Sequence, residues 1–181
     1  MVKGNDMIFQ AKYDSPLGML TMASEGEALI GLWMETQTYF PSTVKEEMIS
    51  KEDLSVFKMT KQWLDRYFGG ERPASAELPL SPRGSSFQRE VWKMLCEIPY
   101  GGWITYGEIA ARIALKRENK NMSPQAVGGA VGHNPISIII PCHRVIGAKG
   151  QLTGYTGGLD KKIWLLEHEG FQIKNGVVLL G

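Results

Sequence analysis

The sequence predicts an α+β protein of two domains: a first built on a sheet with one helix packed on it, and a second that is mostly helical. Three observations predict this. Short segments separated by turn residues fill the first third of the chain. Capped segments with apolar residues at helical spacing dominate from Ser85 onward. Between them Glu71 to Gly84, ERPASAELPLSPRG, is rich in proline and small residues and has no apolar period, as an exposed connector is. The boundary is placed there, dividing the chain into residues 1–80 and 81–181.

Along the first domain, Met7 to Tyr13 reads as a strand leading into the turn Ser15-Pro16-Leu17-Gly18. Met19 to Ala23 follows, then a turn at Glu25-Gly26-Glu27 and a strand Ala28 to Met34, which completes an antiparallel meander. From Lys51 to Phe68, Leu54, Phe57, Leu64 and Phe68 recur at helical spacing, and Gly69-Gly70 closes the helix. In the second domain Ser85 and Gln88 form a capping box for a helix carrying Phe87, Val91 and Leu95, stopped by Pro99 and Gly101-Gly102. Thr105 and Glu108 form another, opening a helix from Tyr106 to about Leu115, and Ser123-Pro124 starts a third, QAVGGAVGH. Ser137 to Ile140 is expected to be a short buried strand or extended segment delivering Pro141-Cys142-His143-Arg144-Val145. A glycine-rich loop, Gly147 to Gly158, leads to a helix Leu159 to Glu169 and a last hairpin about Asn175-Gly176.

Composition excludes several classes. With 181 residues, 43% hydrophobic and 22% charged, the chain can bury one good core or two small ones, and disorder is not expected. Met1 to Gln10 has no apolar run suited to a secretory signal, and Ile136 to Pro141 is far too short to span a membrane, so a soluble, cytoplasmic, monomeric protein with no membrane and no obligate protein partner is expected. Two cysteines, Cys96 and Cys142, read as reduced thiols, and three histidines without a paired-ligand spacing predict no metal. Cys96, with no base nearby in sequence, is read as a small buried hydrophobe. The net charge of +1 does not demand nucleic acid, so any DNA contact needs basic residues gathered on one face.

Two features ask for chemistry. The helix QAVGGAVGH buries little, and its row of small residues suits either a tight helix crossing or a helix lying on a nucleic-acid backbone. With the preceding helix it makes either an ordinary helical hairpin or a helix-turn-helix with a long loop. The other feature is Cys142 beside His143: a thiolate is the reactive form of cysteine, and a histidine is one way to hold it. Neighbours on an extended strand face apart, so contact between the two needs a turn or a bridging water.

The segment PCHRVIG, with NPISIII before it and LTGYTGGLDKKIWLLEHEG after it, closely resembles the signature of the O6-alkylguanine-DNA alkyltransferases, and the similarity runs from about Phe87 to Gly170. The resemblance implies a ribonuclease-H-like N-terminal α/β domain and a C-terminal, mostly helical domain with a helix-turn-helix. It implies irreversible, single-turnover transfer of a methyl or alkyl group from O6-alkylguanine in double-stranded DNA, with no cofactor, and leaves open whether O4-alkylthymine is a further substrate. By the same resemblance Cys142 is the acceptor, His143 the water-assisted base and Glu169 the carboxylate that orients it. Tyr106 donates a proton to the purine, and Asn134 braces the turn before the active-site segment. Gln125, Ala126, Gly128 and Gly129 with Tyr106 form the DNA-binding surface, and Val145, Tyr155 and Thr156 line the pocket for a guanine flipped out through the minor groove.

Gln125 departs from the family pattern, in which an arginine fills the gap left by the flipped base. Weaker flipping is therefore expected, with phosphate contacts from the loop Lys116 to Asn121, namely Lys116, Arg117 and Lys120. Lys161 and Lys162 read as a solvated face, His133 as structural and Arg144 as internally paired. Two rival classes are a damage-binding module of the same fold, which lacks the acceptor cysteine, and a cysteine hydrolase using Cys142 and His143.

Overall fold

The computed structural model describes residues 7–37, 44–118 and 121–180. One compact unit runs from the N-terminus to Arg83 and takes in Pro135–Ser137; the other comprises Gly84–Asn134 and Ile138–Gly181.

In the first unit, strands β1 (Ile8–Ser15), β2 (Gly18–Ser24), β3 (Leu29–Met34) and β4 (Met48–Ser50) form a sheet in the order β3-β2-β1-β4. The first three make the expected antiparallel meander. Its turns are closed by serine: Ser15 Oγ accepts from the Leu17 N–H and donates to the Gly18 carbonyl, and Ser24 Oγ does the same for Gly26 and Ala28. Strand β4, parallel to β1, is not predicted by the sequence because three residues are too few to show a period. Helix α1 (Ser55–Phe68) starts four residues later than Lys51, after Leu54, which offers no capping side chain. Its buried face carries Val56, Phe57, Thr60, Trp63, Leu64 and Tyr67, spaced as one side of a helix. Beyond β3 the sheet edge is extended by a later piece of chain: Leu32 N–H donates to Pro135 O at 2.8 Å, and Ser137 N–H to Leu32 O at 3.0 Å.

The second unit is mainly helical. Helix α2 (Ser86–Leu95) has the predicted capping box, in which Gln88 N–H reaches Ser85 Oγ (3.1 Å) and Ser85 N–H reaches Gln88 Oε1 (2.9 Å). A two-residue strand β5 (Ile104–Thr105) leads into α3 (Tyr106–Lys116), capped by Thr105 and Glu108. Helix α4 (Pro124–Gly132) begins at the N-cap Ser123, with proline at its first position. It packs on both α2 and α3 through Val127, Ala130 and Val131, and the buried Trp92 donates from Nε1 to Ala130 O at 2.8 Å. Its exposed side carries Gln125, Ala126 and Gly129. Strand β6 (Val145–Ile146) pairs in parallel with β5. Helix α5 (Leu159–His168) and the hairpin β7 (Ile173–Lys174) and β8 (Val177–Val178) complete the unit, with both turn residues at positive φ, Asn175 at 52° and Gly176 at 72°.

Ser137–Ile140 is buried as expected, but it is not a strand. Ile136 makes a single bridge to Leu32, and the following residues turn, with Ile138 at φ 72°. That conformation is costly for a β-branched side chain, so local tertiary bonds must hold it. Two converge on the Ile140 carbonyl, from Asn134 Nδ2 and from the Cys142 N–H, each at 2.8 Å. No helix among the described residues is long and apolar enough to cross a membrane.

Candidate active site

Tyr106, Gly128, Val131, Gly132, Cys142, Gly154, Tyr155 and Thr156 line one cleft, all from the second unit. The Thr105 cap puts Tyr106 at the first position of α3. Glycines on α4 line the cleft: a Cβ on Gly128 would make an ordinary contact, 3.9 Å from the Tyr106 ring, and so would one on Gly132, 4.0 Å from Thr156 Cγ2. A Cβ on Gly129 would meet nothing within 4 Å, so that residue faces outward.

Cys142 opens a 3-10 turn, Cys142–Arg144, and is 4% exposed. This turn replaces the extended geometry in which the thiol and imidazole would point apart. Even so, the side chain that supports the thiol by a hydrogen bond is Asn134 rather than His143, and Tyr155 lines the cleft beside it. Burial pushes the Cys142 thiol up, while Asn134, the charge of Lys162 and Tyr155 pull the other way. Asn134 thus supports both the thiol and the Ile140 carbonyl behind it.

His143 is wholly buried, and its Nε2 lies 2.5 Å from Glu169 Oε2. Glu169 also accepts from Arg144, Nε to Oε1 at 2.7 Å and Nη2 to Oε2 at 3.2 Å, and from the Gly101 N–H at 3.2 Å. Burial disfavours the Glu169 charge, but His143 and Arg144 outweigh it and hold the carboxyl well below the usual carboxylate range. Burial likewise lowers His143 against the pull of Glu169, so the imidazole is neutral near pH 7. With Arg144 as the counter-ion, Glu169 does not need an imidazolium. A neutral ring donating from Nε2 presents Nδ1 as an acceptor, and Nδ1 is buried with no protein partner among the described residues.

Arg144 is internally paired as expected; its Nη1 donates to Ile98 O at 2.6 Å and its guanidinium lies over the Tyr100 ring. His133 is structural, its Nδ1 bonded to Gly129 O at 2.7 Å near the end of α4. Lys162, by contrast, is not on a solvated face. It has no exposed surface, and its Nζ donates to Val145 O at 2.6 Å and Thr153 O at 3.3 Å. Cys96 is half-buried rather than buried and lies outside the cleft. Of the basic loop, Arg117 pairs with Glu90 and lies over the Phe87 ring, and Lys116 Nζ is 3.9 Å from Glu90, so neither is a free cation; Lys120 lies outside the described residues.

Two family models match, one after the other along the chain. The first, described as the 6-O-methylguanine DNA methyltransferase ribonuclease-like domain, covers residues 8–82. The second, the DNA binding domain of the same methyltransferase, covers residues 86–171. The chain belongs to the 6-O-methylguanine DNA methyltransferase family.

The relatives agree in length and fold. The methylated-DNA–protein-cysteine methyltransferase of Haemophilus influenzae is 42% identical over 162 residues, which are 90% of this chain and 86% of that protein. The crystal structure of the Mycobacterium tuberculosis OGT in complex with DNA is 43% identical, with a TM-score of 0.76 over 89% of this chain and 92% of that one. An O6-methylguanine DNA methyltransferase from Methanococcus jannaschii is 31% identical, with a TM-score of 0.60 over 93% of this chain and 96% of that one. The methyltransferase described here therefore has the two-domain α+β fold of its family, a ribonuclease-like domain followed by a helix-turn-helix DNA-binding domain. It is a methylated-DNA–protein-cysteine methyltransferase, which repairs DNA by alkyl transfer.

Within the methyltransferase's cleft, five of the residues singled out in the sequence come together: Cys142, Tyr106, Gly128, Tyr155 and Thr156. Gln125, Ala126 and Gly129 lie on the exposed side of α4, and Val145 is wholly buried. The Val145 carbonyl accepts from Lys162, and its N–H bonds to Cys142 O. Val131, Gly132 and Gly154 line the cleft without having been predicted. Only the small-residue run hints at the glycines, and nothing in the periodicity distinguishes Lys162 from the lysine before it.

Proposed function

We propose that Cys142 is the alkyl acceptor for O6-alkylguanine, used once. The observation that carries this reading is Cys142 set beside Tyr106 in the cleft while its neighbour His143 is locked to Glu169. The thiolate attacks the alkyl carbon in line, the C–O6 bond breaks, and guanine leaves more readily once it gains a proton. His143 Nδ1, an acceptor with no protein partner among the described residues, suits a water-relayed base for the thiol. Tyr106 is the proton donor: burial raises its pKa, and the Thr153 hydroxyl donates to its oxygen at 3.3 Å, leaving the tyrosine's own proton for the base.

A base within a duplex cannot reach a thiol in a cleft, so the nucleotide is flipped out, at a cost of a few kcal/mol. The outward side of α4, with Gln125, Ala126 and Gly129, suits approach to a minor groove because small residues let the backbone come close. O4-alkylthymine offers the same kind of alkyl–oxygen bond and is the further substrate. Because a thioether has no route back to the thiolate, each chain repairs one lesion. With lesion in excess, the amount of repaired duplex is expected to plateau at one per chain; continued product formation would contradict the reading.

Gln125 fills the gap left by the flipped base without bringing charge. Gln125→Arg is therefore expected to tighten duplex binding several-fold and to steepen its logarithmic salt dependence by about one unit. Titrations at several salt concentrations measure both, and unchanged affinity, slope and repair rate would remove Gln125 from the gap.

A further inference from the structure

The C-terminal hairpin takes no part in the mechanism above, and both of its strands lie past residue 171, where the match to the family's DNA binding domain ends. It is nevertheless tied to the chain that leads into the cleft. Beyond β6 the backbone folds back through Ala148–Gly150, and the Gly147 N–H donates to Gln151 O at 2.7 Å. The hairpin closes on this turn: Gln151 bridges Val177 in antiparallel fashion, and the Leu152 N–H donates to Gly176 O at 2.9 Å. Gly150 comes so near that a Cβ on it would stand 2.5 Å from the Val178 carbonyl oxygen, and its φ is 79°. Only glycine fits both conditions. Val178, 2% exposed, packs with Ile146 of β6 and Leu166 of α5, and Leu152, Phe171 and Ile173 pack against them. The hairpin thus fastens together β6, α5 and the turn between them.

The hairpin's hold ends at Leu152, and the cleft begins one residue later. Thr153 donates to the Tyr106 oxygen, and Gly154, Tyr155 and Thr156 line the cleft. The rest of the lining stands on α3, on α4 and at Cys142, whereas 153–156 are neither helix nor strand. The width of the cleft therefore depends on where this stretch is held, and Leu152 is where it starts. We propose that the C-terminal hairpin, residues 171–180, is a positioning element of the transfer site: by clamping Gly150 and Leu152 it sets the width of the cleft and so the size of alkyl group the protein takes. This rests on the reading of Cys142 as acceptor and Tyr106 as donor. The hairpin touches neither the thiol nor the base and acts through the loop. With the clamp closed, Thr153 stays on Tyr106 and the wall stands close to a methyl-sized group. With it open, Tyr106 loses that support while a larger group gains room, so small and large alkyl groups respond differently.

Gly150→Ala drives a methyl group into the Val178 carbonyl and forces turn and hairpin apart. Single-turnover transfer is measured on duplexes holding O6-methylguanine or O6-butylguanine. Methyl transfer is expected to fall about tenfold, and the ratio of butyl to methyl rates to rise about fivefold or more. Exchange of the Leu152 amide hydrogen, read without DNA, is expected to quicken about tenfold or more. Gly70→Ala is the control: it sits in the first unit at φ 93° with nothing within 4 Å of its Cβ, so it carries the backbone strain without the collision and should leave both rates unchanged. A folded Gly150→Ala protein whose two rates are unchanged, or fall in proportion, overturns the proposal. Should that variant not fold, Val178→Ala loosens the apolar cluster without strain, and the ratio is expected to rise about twofold or more; an unshifted ratio overturns the proposal. Wild-type protein that transfers neither group would refute the proposed function instead. Leu152 exchange in the variants would then still decide whether the hairpin holds the loop, an unchanged rate overturning the clamp.

Discussion

Cys142→Ala is expected to abolish methyl transfer completely while duplex affinity stays within about threefold of wild type. The expectation is this sharp because no other thiol is placed to take over. Cys96, the second cysteine in the chain, is half-buried and outside the cleft. The change removes one small buried side chain and leaves the exposed side of α4 intact, so loss of transfer should not come with loss of binding. Rapid-quench assay of a methylated duplex, paired with a binding titration, separates the two. Residual transfer would mean that the acceptor is elsewhere, and loss of binding would mean that Cys142 supports the fold of the DNA-binding surface.

Glu169→Ala is the second large effect, and here stability and activity fall together. The carboxylate holds the buried His143 Nε2, two nitrogens of Arg144 and the Gly101 N–H. Removing it leaves a guanidinium, in a residue only 8% exposed, without its counter-ion. Breaking a buried pair from one side costs roughly 3–5 kcal/mol, a fall in Tm of about 6–20 °C for a chain of this size. The same cluster sets the acid limit of the fold. Glu169 has a lower pKa folded than unfolded, so in acid the unfolded chain binds more protons and stability falls with pH. His143, also lowered on folding, acts in the same direction from a higher pH. The contribution of His143 is complete above about pH 6.5 and that of Glu169 above about pH 4.5, and both are lost below. Thermal melts of wild type and variant across that range test this: their difference should be full near neutrality and shrink in acid, and a constant difference would contradict it.

Much of this architecture was legible because local rules and tertiary packing agree. The serine turns of the meander, the capping boxes at Ser85 and Thr105 and the Asn175-Gly176 hairpin each carry their own signal, and each element forms where that signal lies. What sequence hides is whatever distant chain decides. Ser137–Ile140 has the apolar content of a strand, but β3 takes up the backbone before Ile138, and Asn134 with the Cys142 N–H holds the turn after it. Lys162 looks like Lys161, one residue earlier, yet it points inward, where the Val145 and Thr153 carbonyls accept from it. In the site, Cys142, His143 and Glu169 were legible through a family signature rather than through spacing, since the bond from His143 to Glu169 spans 26 residues of sequence. Gly154 stayed hidden because a single glycine that lines a cleft leaves no pattern in the sequence.

The most direct test of the central claim is intact-protein mass with peptide mapping, after mixing the protein with an equal amount of duplex containing one O6-methylguanine. One methyl increment per chain, confined to the peptide holding Cys142 and absent from Cys142→Ala, is the expected result. A methyl group on another residue, or repaired duplex with no change in protein mass, would contradict the account.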